Sequence, residues 1–268
     1  MKRSDMHVHT EATAPYQQGD SNLAPYHERG ASAALDFMGI SDHYHYFWQK
    51  TRYVRAQRAA IDAAKFTSPT MYLGVEQTIL SKSGRIGIRD SGLEGLDYVI
   101  LAIHWMPVGG RLGHEEIEAA VATPQRLEKL IAIAKQYYKR AMTNPRLARV
   151  PKIIGHPFNF LLPQHANAPG VIDALDWLCK TCAEHQVAYE INKDVLPRDL
   201  SSIDPAHDAT WKALAIALDD NKPPVSIGSD AHKLDNIGTI DPILSCMAHY
   251  NVDSSLLLDE RFLARDFA

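Results

Sequence analysis

Seven short runs of β-forming, mostly apolar residues recur along the chain, at 5–9, 37–41, 71–75, 98–103, 152–155, 187–191 and 225–228. Longer segments of helical composition or periodicity separate them, most clearly at 24–35, 53–65, 124–142, 171–185 and 205–221. Strand–helix alternation of this kind predicts parallel βαβ units, because consecutive parallel strands need a crossover long enough to hold a helix. Seven such units within 268 residues suit a closed (β/α) barrel better than an open sheet. Thr123 before Pro124, and Asp204 before Pro205, read as helix N-caps followed by proline at the first helical position. No repeat, low-complexity tract or linker interrupts the pattern, so residues 1–268 are expected to form one domain.

The polar residues at the strand ends carry the chemistry. Strand one ends in Asp5-x-His7-x-His9, strand two in Asp42-His43-Tyr44-His45, strand three in Glu76 and strand four in His104. Strand five ends in His156-Pro157, strand six in Glu190-Ile191-Asn192, and strand seven runs into Ser229-Asp230-Ala231-His232. In a parallel barrel every C-terminal strand end opens on one face. Residues two apart on a strand point the same way, which puts Asp5, His7 and His9 on one side. Taken singly, Glu76 reads as a solvated strand terminus, and His104 or His156 as a hydrogen-bonded core histidine. Together they collect imidazoles and carboxylates at one mouth, the donor set of a multinuclear Zn, Mn or Fe site.

His7-x-His9, Asp42-His43, Glu76, His104, His156 and Asp230-x-His232 resemble, in the right order, the motifs of the PHP (polymerase and histidinol phosphatase) superfamily. The resemblance runs from residue 5 to about 238. It implies a distorted seven-stranded (β/α) barrel, two or three divalent metal ions and phosphoesterase chemistry of the histidinol-phosphatase type. Carried over position by position, His7, His9, Glu76 and Asp230 hold a first metal. Glu76 bridges to a second held by His104 and His156, and His43 and His232 hold a third. Many relatives carry another third-site ligand, often histidine, soon after His-x-His. Here residues 10–22 contain none, which leaves Glu11 or Asp20 as carboxylate substitutes, with His27 further on in a predicted helix.

The reaction expected from this ligand set is hydrolysis of a small phosphomonoester by a hydroxide bridging two metals. Arg198, Lys193 and Arg111 lie near strand ends or in the glycine-flanked 105–123 loop and are the cations suited to grip phosphate. The aromatic run Tyr44, Tyr46, Phe47 and Trp48 either stacks on a ring-bearing leaving group or covers the barrel rim. Three other readings stand beside the phosphatase: an amidohydrolase-like hydrolase, a nuclease acting on nucleotides or short oligonucleotides, and a non-catalytic metal-stabilised binding module. Amidohydrolase barrels commonly bridge their metals with a carboxylated lysine, and Glu76 argues against that.

The net charge of −4 lacks the positive field that long nucleic acid requires. Three cysteines cannot build a disulfide framework, and no run of about 18 apolar residues or signal-like start is present, so a cytoplasmic protein is expected. Cys179-x-x-Cys182 has a redox spacing but falls inside the 171–185 helix, where buried structural thiols are the better reading. His185, His207 and His249 fall in or beside helices, and His114 and His165 fall in loops without an evident partner.

Overall fold

A computed structural model describes residues 2–10, 22–44, 51–104, 114–197 and 200–264, except for the side chains at 51, 52, 114–116 and 194. Strands β1 (Ser4–Val8), β2 (Phe37–Ile40), β3 (Thr70–Thr78), β4 (Tyr98–Ala102), β5 (Lys152–Ile154), β6 (Ala188–Asn192) and β7 (Val225–Gly228) pair in chain order, every pair parallel. Beyond its end, β7 returns to β1 through a Val8–Ala231 bridge, in which His9 N donates to Ala231 O at 2.9 Å. The result is a nearly closed, distorted (β/α)7 barrel, as the sequence pattern predicts.

The connections are α1 (Ala24–Ser32), α2 (Thr51–Ala64), α3 (Asp90–Leu93), α4 (His114–Val121), α5 (Pro124–Met142), α6 (Val171–Glu184), α7 (Pro205–Asn221), α8 (Asp241–His249) and α9 (Glu260–Leu263). The long ones pack by amphipathic periodicity. On α5, Leu127, Leu130, Ile131, Ala134, Tyr137, Tyr138 and Ala141 recur at three- and four-residue spacing and are all buried. Asp204 caps α7, accepting from the amides of Ala206 and His207 at 3.1 Å each. Thr123 occupies the cap position of α5 without a side-chain hydrogen bond, contrary to expectation.

The inward face of the barrel is divided along its axis. At the N-terminal ends of the strands, Met6, Phe37, Tyr98, Ile100, Ile153 and Ala188 form an apolar cluster closed from below by Leu258, Phe262 and Leu263. Tyr98 fills the axis beside glycine: a Cβ on Gly74 would lie 2.4 Å from its ring, and its hydroxyl donates to Met6 O at 2.8 Å. Leu258 N donates to Val225 O at 2.8 Å and so ties the C-terminal segment under β7.

One strand breaks the expected alternation. The register of β1 against β2 shifts between Asp5 and Val8, with Asp5 opposite Met38 and Val8 opposite Ile40, so one residue is extra. Met6 joins the inner cluster and Val8 the outer one, while His7 and His9 turn to the mouth. Asp5 therefore does not share their side. Its carboxylate accepts from Ser229 N at 3.0 Å, Ser229 Oγ at 2.6 Å and Gly238 N at 2.9 Å, joining β1 to the chain after β7.

Candidate metal centre

The C-terminal half of β3 organises the polar end. Glu76 lies two residues inside this nine-residue strand rather than at its terminus, because β3 keeps pairing with β4 as far as Thr78–Ala102. The β2 loop crosses it there: Glu76 N donates to Asp42 O at 3.1 Å and Tyr44 N donates to Glu76 O at 2.9 Å. This places the buried Glu76 carboxylate on the barrel axis, within reach of five imidazoles from four other strand ends.

On one oxygen, Oε1, His156 Nε2 stands at 2.9 Å and His104 Nε2 at 3.2 Å. On the other, Oε2, His43 Nε2 stands at 2.9 Å, His7 Nε2 at 3.6 Å and His9 Nε2 at 3.7 Å. Asp230 adds a second carboxylate, with Oδ1 at 3.1 Å from His9 Nε2 and 3.8 Å from His7 Nε2. His232 stacks on His9 with ring centroids 4.2 Å apart, and its Nδ1 lies 3.1 Å from the Asp230 carbonyl. The donor atoms converge in three overlapping trios, His7–His9–Glu76, His43–Glu76–His104 and His9–His43–His232, each within 4.8 Å. All eight sequence-predicted ligands thus meet at one place.

The site fits cations because its lone pairs are crowded and not consumed. His7 Nε2, both ring nitrogens of His9 and Oε2 of Glu76 are buried without a directed hydrogen bond among the described residues. Buried polar atoms are rarely left so, and a cluster of them on ligand-type groups marks a place for an ion. Proton affinities are strongly displaced. Burial opposes ionisation of Glu76, but the imidazoles of His104, His43 and His7 hold it well below the usual carboxylate range. Burial lowers His7, yet the charges of Glu190 and Glu76 outweigh it and raise the imidazole well above its ordinary value. His9, with burial dominant and two neighbouring imidazoles, falls to about 3. The centre thus sets an ionised carboxylate among imidazoles of opposite proton affinity.

A family model for the PHP domain matches residues 5–194, about 70% of the chain. The chain belongs to the PHP domain family. The PHP fold is borne out by two solved structures. Histidinol phosphate phosphatase from Lactococcus lactis, complexed with zinc, L-histidinol and phosphate, is 14% identical with a TM-score of 0.58, over 97% of this chain and 99% of that one. The putative histidinol phosphatase from Listeria monocytogenes is 13% identical with a TM-score of 0.61, over 88% and 98%. No curated protein sequence matches the chain significantly.

In this PHP barrel the remaining sequence candidates fall differently. Lys193 reaches the rim, donating to Ser229 O at 3.1 Å and Asp230 O at 3.0 Å, with Asp230 Oδ2 at 3.5 Å. Arg111 and Arg198 lie outside the described residues, as do Glu11, Asp20, His45, Tyr46, Phe47 and Trp48. Tyr44 is buried in the outer core and presents no stacking face. His27 stacks on Phe66 away from the mouth. His165, read as unpartnered, lies 3.2 Å from Glu118. Cys179 and Cys182 are buried and free, their thiols pushed up by burial, as expected of structural cysteines. Among the described residues no helix is long and apolar enough to cross a membrane.

Sequence reasoning missed the residues that hold the ligands. Thr78 Oγ1 lies 2.9 Å from His104 Nδ1. Asp42, next to His43 in the motif, accepts from Thr10 N and from Gln57 Nε2 at 2.6 Å, pinning the chain after β1 to α2 instead of entering the centre. The signal available for Thr78 was its position two residues after Glu76, on the same face of β3.

Proposed function

We propose that this PHP protein is a metal-dependent phosphoesterase that hydrolyses a small phosphomonoester. The observation that carries the reading is Glu76, buried on the axis with imidazoles against both of its oxygens. His7, His9, Glu76 and Asp230 would hold one cation, Glu76 with His104 and His156 a second, and His43 with His232 a third. Divalent ions bound there supply Lewis-acid polarisation of phosphoryl oxygens and a water acidic enough to react near neutral pH. Zinc, manganese and iron all suit the donors, and the zinc in the Lactococcus lactis structure favours zinc.

The chain's own groups complete the site. Lys193, half-exposed at the rim beside Asp230, presents a positive charge to an approaching phosphate, and Arg198 and Arg111 are assigned the same duty. The acidic total of −4 favours a small substrate over a nucleic-acid polymer. His43 or His232, where no ion holds it, can deliver a proton to the departing alkoxide oxygen. The reading takes residues 1–268 as one domain, and the free, buried thiols accord with a cytoplasmic setting.

The test is phosphate release from a panel of phosphomonoesters, including histidinol phosphate, nucleotides and sugar phosphates, by metal-reconstituted protein. Release that chelation abolishes and Glu76→Ala removes is the expected result. Zinc binding without release from any member of the panel would move the assignment to a phosphodiester, a C–N bond or a binding role.

A further inference from the structure

Glu190 lies on the inner face of β6 directly beneath the metal centre, fully buried. It holds two of the residues that converge there. Its Oε1 stands 2.7 Å from His7 Nδ1. Its Oε2 accepts from the backbone N–H of His156 at 2.6 Å and from Asn192 Nδ2 at 3.2 Å. A carboxylate oxygen accepts and does not donate, so the proton of that His7 contact sits on Nδ1 and the Nε2 lone pair is left for the centre. Nε2 is among the buried atoms that have no hydrogen-bond partner. The second bond acts on the backbone: His156 has φ of +29°, in a region a non-glycine residue adopts only when held there. In that conformation its ring reaches Glu76 Oε1.

The barrel is shaped to admit this carboxylate. A Cβ on Gly228 would lie 2.3 Å from Glu190 Oε1 and 2.7 Å from His7 Cβ, so the end of β7 must lack a side chain for the pair to fit. One side chain of β6 thereby joins β1, β5 and β7 around the two histidines.

We propose that Glu190 is a positioning residue of the metal centre, fixing His7 through its ring and His156 through its main chain. The inference rests on the reading of the mouth as a metal site and not on which bond is hydrolysed there. Glutamine cannot replace it, because one amide oxygen cannot accept from His7 Nδ1–H on one side and from His156 N–H on the other. Turned either way, its NH2 faces a donor or forces His7 into the tautomer that presents Nε2–H.

Zinc affinity of the full chain, read by competition with a chromophoric chelator, tests this. Glu190→Gln should bind zinc about 10–100-fold more weakly than wild type, the range for a lost partner of a ligating histidine. Asp97→Asn, which disturbs a carboxylate bonded to Leu73 N far from the mouth, should bind as wild type does. Wild-type affinity in Glu190→Gln overturns the proposal. A second measurement needs no variant: a long-range 1H–15N spectrum of the zinc-loaded wild type should place a proton on His7 Nδ1, and its absence there overturns the proposal equally. Failure of the wild type to bind zinc would remove the metal reading and this role with it. Glu190-dependent zinc binding without any phosphate release upholds the positioning role and removes the phosphatase reading alone.

Discussion

The two ends of this barrel are built on opposite terms. At the lower end, Met6, Phe37, Tyr98, Ile100, Phe262 and their neighbours are buried against one another, and the Tyr98 hydroxyl among them donates to Met6 O. At the upper end, His7, His9, His156 and Glu76 are buried while His43, His104, Asp230 and His232 are partly exposed, and lone pairs are left without hydrogen bonds. Burial at the lower end therefore stabilises the fold, whereas the upper end leaves part of a ligand set without hydrogen-bond partners. In a (β/α) barrel this division lets the mouth be specialised while the base carries the stability.

The largest effect should come from Glu76→Ala at the upper end. Removing the shared carboxylate should reduce phosphate release by more than about 10²-fold, beyond what loss of an outer-shell partner does, and lower the number of bound zinc ions. Retention of full zinc stoichiometry would mean that Glu76 is not a shared ligand of the centre. Phe262→Ala should do the reverse at the lower end: a loss of about 3–5 kcal/mol in unfolding free energy, read by denaturant titration. The zinc affinity of the folded protein should stay unchanged, and a comparable fall in affinity would mean that the two ends are coupled.

Lys193→Met sharpens the upper half of the picture by separating substrate binding from metal binding. KM for the preferred phosphoester should rise by up to about tenfold, the size of one charge-assisted hydrogen bond. An unaltered KM would confine Lys193 to holding the end of β7. The smallest effect belongs to the helical wall, which is neither end. Cys179 and Cys182 should resist alkylation in the native protein and react readily once unfolded, because burial raises their thiols. Rapid native labelling would expose α6 as a mobile element.

What was legible in the sequence follows the same division. The ligands were readable because polar residues closing apolar runs stand out, and a parallel barrel leaves only one place for them. The strand pattern was equally plain: β7, α5 and α7 begin and end where periodicity and proline placed them. The side of Asp5 was misread because a one-residue shift in β1 reverses facing and leaves no compositional mark. Glu190 was visible as a polar strand end, but its partners come from β1 and the loop after β5, which meet only when the barrel closes. The plug at 258–263 had no signal of its own, since Leu258, Phe262 and Leu263 look like an ordinary amphipathic tail until the open base is known.

The most direct test of the central claim is anomalous diffraction from crystals of the zinc-loaded protein. Zinc peaks are expected on both sides of the Glu76 carboxylate, one within bonding distance of His7, His9 and Asp230 and one beside His104 and His156. Zinc-loaded crystals with no peak within bonding distance of Glu76 would contradict it.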